Sequence, residues 1–149
     1  MPALKCAELV LGSRADAQGW RALPSVANHG SSTLGIAANL AAFTEGDEWL
    51  DELAAYLDQA RAVFRDEMAR QLPRAQVLPM EASYLAWVDL HEYGHDDPAA
   101  VCRERGRVVV NDGRTFGPGG EGHVRVNIGT SLDRIREIVR RLATALNDH

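Results

Sequence analysis

Residues 113–128, GRTFGPGGEGHVRVNI, decide how the rest of the chain is read. A glycine-rich loop runs straight into an alternating segment. Side chains of a strand point to opposite faces in turn. The pattern over residues 123–128 therefore puts Val124, Val126 and Ile128 on one face and His123, Arg125 and Asn127 on the other. Arg125 then stands on a rigid element, turned from the apolar side, just after a loop whose glycines let backbone and ligand come close. A guanidinium so placed can grip a carboxylate through two parallel hydrogen bonds. The same pattern also fits a plain surface arginine on an edge strand. Residues 117–122 contain the spacing G-x-G-x-x-G. A dinucleotide fingerprint must leave a strand and open a helix, whereas this loop opens a strand, so that reading is set aside.

Working outward, Ser131 is placed to cap a last helix with Leu132, Ile135, Ile138, Val139, Leu142 and Leu146 on one face. Upstream, residues 107–110 and 84–90 (YLAWVDL) read as strands, and residues 76–78 as a shorter one. Asp96-Asp97-Pro98 opens a helix between them. From Trp49 to Leu72 apolar residues recur every three or four positions, predicting one long helix that Pro73 ends. Strands alternating with helices predict an α/β fold, a small sheet covered by helices. Nearer the start, residues 3–11 read as a buried strand and residues 14–23 as a short helix. Residues 25–32 read as a loop with capping serines at Ser31 or Ser32, and residues 33–43 as a small-residue helix expected to be buried.

Composition narrows the class of function. The chain has 149 residues, 46% hydrophobic and 25% charged, enough for a real core. Its formal charge of −5 and lack of a basic run argue against nucleic acid. No apolar run is long enough to cross a bilayer, so no membrane partner is expected. Cys6 and Cys102 lie far apart, form no metal-type pair and suit small buried hydrophobes in a reducing cytoplasm. His91-Glu92-Tyr93-Gly94-His95 matches the zinc-protease spacing H-E-x-x-H. That chemistry needs both histidines on one helical face. Here the motif follows a strand, contains a glycine and precedes a helix opening, which predicts a loop and no metal; a zinc hydrolase stays as an alternative function.

Taken in order, LKCAELVL, EASYLAWVDL, NDGRTFGPGGEGHVRVNIGTS and the capped final helix resemble the C-terminal part of fold-type I pyridoxal-phosphate enzymes. The resemblance is closest to the cystathionine β-lyase (C–S lyase) type within the class I and II aminotransferase family. It implies a small C-terminal α/β domain with its long linking helix over residues 46–149, and a remnant of the large cofactor-binding domain over residues 1–45. It implies pyridoxal phosphate as cofactor, an amino acid as substrate, a homodimer and a cytoplasmic location. Arg125 matches the arginine that binds the substrate α-carboxylate, and Lys5 a basic residue that contacts the cofactor phosphate. Tyr84 and Phe116 are candidates for the substrate side, with core aromatics as the other reading. The family's Schiff-base lysine would fall before Met1, and Lys5 is the only lysine in the chain. The implied activity is therefore C–S β-elimination or amino transfer, with the chain inactive by itself. Met1 reads as an internal residue of a longer protein. A non-catalytic module that binds a ligand or a partner is the other alternative.

Overall fold

The computed structural model describes residues 2–27 and 29–147. Met1, on which the reading of an internal start rests, lies outside them. The chain divides into two compact units, Met1–Glu52 and Leu53–His149, with the division inside the long helix. No helix among the described residues is long and apolar enough to cross a membrane.

The second unit is a four-stranded antiparallel sheet backed by helices. Its strands are β1 (Gln76–Val77), β2 (Leu85–Asp89), β3 (Asn111–Asp112) and β4 (His123–Asn127), in the order β1-β2-β4-β3. β2 and β4 form the centre, in a register that pairs Ala86 with Val126, Trp87 with Arg125, Val88 with Val124 and Asp89 with His123. Ala86, Val88, Val124 and Val126 all turn into the core. There they join Phe64, Met68 and Leu72 from the end of the long helix, Cys102 from α4 (Pro98–Glu104), and Ile135, Val139, Leu142 and Leu146 from α5 (Leu132–Asn147). Burying these aliphatic and aromatic side chains, each worth about 1.5–3 kcal/mol, is what holds the unit together. Burial pushes the Cys102 thiol up to about 12, so it packs as a small hydrophobe.

Local signals set the helix ends. Asp97 accepts the Ala100 N–H and Pro98 takes the first turn of α4, where its missing N–H costs nothing. Ser131 accepts the Arg134 N–H at the start of α5. On the solvent side of α5, Arg140 and Arg141 hold the Glu137 carboxyl down to about 2.

The predicted third strand is corrected. Residues 107–110 form no strand; the pairing moves on to Asn111 and Asp112. Arg107 takes a left-handed conformation (φ 51°) to leave α4, and the Val108 N–H bonds to the Cys102 carbonyl. The backbone reaches β4 only at Asn111, and Val109 is left 84% exposed.

The first unit carries helices α1 (Arg14–Ala22), α2 (Thr33–Glu45) and the start of α3 (Asp47–Gln71). Ser13 and Ser32 cap α1 and α2 by accepting the N–H groups of Asp16 and Gly35. Two expectations fail here. Residues 3–11 are not a buried strand: after a 3-10 turn at Pro2–Leu4 the segment finds no ladder partner among the described residues, and Val10 is 92% exposed. A single extended segment cannot satisfy its backbone groups or cover its side chains without a neighbour. α2 forms but is not buried. Leu34, Ile36, Leu40 and Phe43 all face outward, and only Gly35 and Asn39 are inaccessible. With so little buried in residues 2–52, limited proteolysis is expected to nick that unit first and leave residues 53–147 as the resistant core. Early cuts within β2–α5, with the first unit intact, would contradict this.

Candidate functional site

The sheet has two unlike faces. One packs on the helices. The other carries Trp87 and Asp89 from β2 and His123 and Arg125 from β4, all partly exposed. Strand alternation puts them together, since Trp87 pairs with Arg125 and Asp89 with His123.

Arg125 is the centre of this face. Its Nη2 donates to Asn111 Oδ1 at 3.2 Å, across the β3–β4 pair. Its guanidinium carbon lies 4.5 Å from the centroid of the Phe116 ring, a cation–π arrangement. Phe116 in turn meets Trp87 edge-on at 5.4 Å. The arginine is thus held by a planar ring on one side and a single amide oxygen at one corner. Its Nε is buried and has no hydrogen-bond partner among the described residues. A buried donor left unmatched costs about 1–3 kcal/mol, which sets this N–H apart from the other side-chain donors of the face.

The glycine-rich loop is built to put Phe116 there. Gly113 and Gly120 come so close that a Cβ on either would run into the other's backbone. The 3-10 turn Gly113–Phe116 between them is braced by Arg114, which donates to Asp112 Oδ2 at 2.7 Å and Asp97 Oδ2 at 2.5 Å. Arg114 holds the Asp112 carboxyl below the usual range. Asp97 is lowered too, first by the Ala100 N–H and then by Arg114. The loop's glycines serve its fold, as Gly117 (φ 118°) and Gly119 (φ 85°) also do.

The other sequence candidates fall elsewhere. Tyr84 lines a cavity of about 350 Å³ with Leu53, Tyr56, Leu57 and Asn127, of which Arg125 is not part. Lys5 belongs to the first unit. It adopts φ 50° and borders a cavity of about 610 Å³ together with His29, Gly30 and Ser31. His91-Glu92-Tyr93 form a 3-10 turn ended by left-handed Gly94, not a helix. His91 Nδ1 sits 2.7 Å from Asp89 Oδ1, while His95 Nε2 lies 3.3 Å from the Leu146 carbonyl oxygen, so the two histidines have different partners. Burial pulls the Asp89 carboxyl up, but the hydrogen bonds from His91 and the two neighbouring imidazoles outweigh it and its net direction is down. Sequence reading missed Trp87, Asn111 and the Asp89–His123 pair. Applying strand alternation to YLAWVDL would have placed Trp87 and Asp89 on one face; nothing local to Asn111 marks it as the partner of Arg125.

Comparison with known proteins matches residues 15–142 to the model of aminotransferase class I and II. A Mycobacterium leprae protein assigned as a cystathionine β-lyase is 36% identical over 96% of this chain and 39% of its own length. A crystal structure from Corynebacterium diphtheriae, assigned as a pyridoxal-phosphate-dependent β-cystathionase, superposes with a TM-score of 0.92. It is 34% identical and aligned over 100% of this chain and 40% of that one. The pyridoxal-phosphate-bound C–S lyase of Staphylococcus hominis gives a TM-score of 0.81 at 26% identity over 92% of this chain and 36% of that one. The fold is thus the small-domain part of the pyridoxal-phosphate-dependent transferase fold, and the chain spans about two fifths of the length of the curated relatives it matches.

Proposed function

The chain belongs to the aminotransferase class I and II family, and from that we propose that it is the substrate-carboxylate-binding portion of a pyridoxal-phosphate C–S β-lyase or aminotransferase. Arg125 binds the α-carboxylate of an amino acid. The observation that carries this reading is its buried Nε, without a partner among the described residues, on the face of the sheet turned from the helices. The Nε–H and the remaining guanidinium hydrogens form a fork that matches a carboxylate's two oxygens. Phe116 keeps the plane of the guanidinium fixed, and Asn111 fixes its rotation. A substrate gripped at one end is oriented at its α-carbon, which is how such a residue contributes to rate.

Pyridoxal phosphate, when bound, supplies the electron sink for the charge that develops at that carbon. The residues present fit only one end of it. Lys5, with Gly30 and Ser31 on the same cavity, offers a cation and donors suited to the phosphate. With Lys5 serving the phosphate, covalent attachment would need a second lysine, and this sequence has none. In this reading residues 1–45 are a remnant of the cofactor domain, and residues 46–149 are the linking helix and small domain. The rest of the cofactor domain and a second subunit cover the exposed Leu34, Ile36, Leu40, Phe43 and Trp49. For the lyase the substrate is an amino acid with a β-carbon–sulfur bond, such as the cystathionine after which the Mycobacterium leprae relative is named.

Equilibrium dialysis tests the grip. An L-amino acid is expected to bind the chain, and the amine lacking its carboxylate is not; equal binding of both would overturn the reading. Incubation with pyridoxal phosphate, borohydride reduction and peptide mapping is expected to yield no stoichiometric pyridoxyl adduct. A stoichiometric adduct on Lys5 accompanied by turnover would show that the chain holds its own catalytic lysine.

A further inference from the structure

The same sheet face holds a second group of side chains that the carboxylate grip leaves without a role. Asp89 ends β2, His91 opens the turn that follows, and His123 begins β4. We propose that Asp89, His91 and His123 form a binding site for a divalent transition metal of the zinc class, independent of the function proposed above.

One ligand atom from each of the three lies within 4.8 Å of the others. Asp89 and His123 are register partners across β2 and β4, so the strand pair itself sets their spacing. His91 is fixed by its own backbone N–H, which donates to Asp89 Oδ1 at 2.9 Å. The His123 Nδ1 is 2.8 Å from the Glu121 carbonyl oxygen. A carbonyl only accepts, so in the neutral ring Nδ1 carries the proton. Nε2 then presents its lone pair toward Asp89 Oδ2, 3.8 Å away. An imidazole whose other nitrogen donates to a carbonyl is the usual outer arrangement of a metal-ligating histidine. The His123 ring is further held by stacking on Trp87, with centroids 5.6 Å apart at 23°.

Room for the third ligand comes from a glycine. The His91 ring lies directly over Gly122, where any Cβ would collide with it, and Gly122 adopts φ 65°. The His91 and His123 rings stand edge to face at 5.1 Å. Two imidazole nitrogens and one carboxylate oxygen suit zinc, cobalt or nickel rather than magnesium or calcium. Tetrahedral bonds of about 2.0–2.2 Å space neighbouring ligand atoms by roughly 3.3 Å. The observed Asp89 separations, 2.7 Å to His91 Nδ1 and 3.8 Å to His123 Nε2, fall on either side of that spacing. Side-chain rotations bring the ligand atoms to that spacing, and the proton that His91 Nδ1 shares with Asp89 Oδ1 is released to solvent as the ion binds. Three protein ligands leave a coordination position open to water. The set shares only His91 with the H-E-x-x-H spacing; His95 is not part of it.

Calorimetric titration of the 149-residue chain with zinc sulfate, paired with the visible absorption of the cobalt form, tests this. A single saturable ion per chain is expected, with cobalt bands typical of low coordination number. His123→Phe keeps an aromatic ring on Trp87 but removes the ligand, and is expected to weaken zinc at least about 100-fold. His91→Ala, in an exposed turn that cannot unfold the sheet, is expected to do the same and decides the matter if His123→Phe does not fold. His95→Ala is expected to bind as the parent does. Absence of saturable binding, unchanged affinity in His91→Ala, or loss confined to His95→Ala would each overturn the assignment.

Discussion

Arg125→Ala is expected to weaken binding of an L-amino acid to the chain by at least about 30-fold, roughly 2 kcal/mol, as read by calorimetric titration. The reason lies in how little the protein itself asks of this side chain. Among the described residues its Nη2 donates to the Asn111 side chain, and its Nε is buried and unmatched. A ligand carboxylate that fills that gap gains a charge-assisted pair in a partly dry setting, worth about twice a neutral hydrogen bond. Arg125→Lys keeps the charge but loses the planar fork and the contact with Phe116, so it should recover only part of the affinity. Folding should be little disturbed, because the side chain stands outside the core. Unchanged affinity in the alanine variant would mean that the arginine is a plain surface residue.

The largest stability effect is expected at Phe64. Its ring is fully buried where the long helix crosses behind the sheet, in one cluster with Val88, Val126, Ile135 and Leu142. Phe64→Ala removes an aromatic side chain from a close-packed interior and leaves a cavity that its neighbours fill only partly. The cost is about 3–5 kcal/mol, measured by urea unfolding of the chain. Because Val124 and Val126 lie in that core while Arg125 stands between them on the other face, the variant should loosen the ligand face as well. A loss under about 1 kcal/mol would show that the helix and sheet are less tightly joined than their burial implies.

What was legible in the sequence tracks how local each signal is. The long helix, the capped last helix and β4 follow from periodicity and caps within a few residues, and all form as expected. Arg125 could be placed on the polar face of β4 for the same reason. Its partner Asn111 could not, because that pairing depends on where the chain rejoins the sheet after Arg107 turns out of α4. The expected strand at residues 107–110 failed on the same point: its valines have strand character, but among the described residues no strand pairs with them. Residues 3–11 failed in both pairing and burial, and α2 in burial alone. Their apolar side chains ask for cover, and among the described residues of the first unit only Gly35 and Asn39 are buried. The Asp89–His91–His123 group joins residues that a loop and a strand pairing bring together, so no single stretch announces it.

The most direct test of the central claim is an NMR titration of the chain labelled with ¹⁵N-arginine, following the Arg125 Nε–H signal, assigned by its absence in Arg125→Lys. On addition of an L-amino acid that signal is expected to shift downfield and to exchange more slowly with water, as a buried donor does when it gains a carboxylate. The other arginine Nε–H signals should stay where they were. An Arg125 signal that does not move while the amino acid binds would contradict the assignment of this residue as the carboxylate grip.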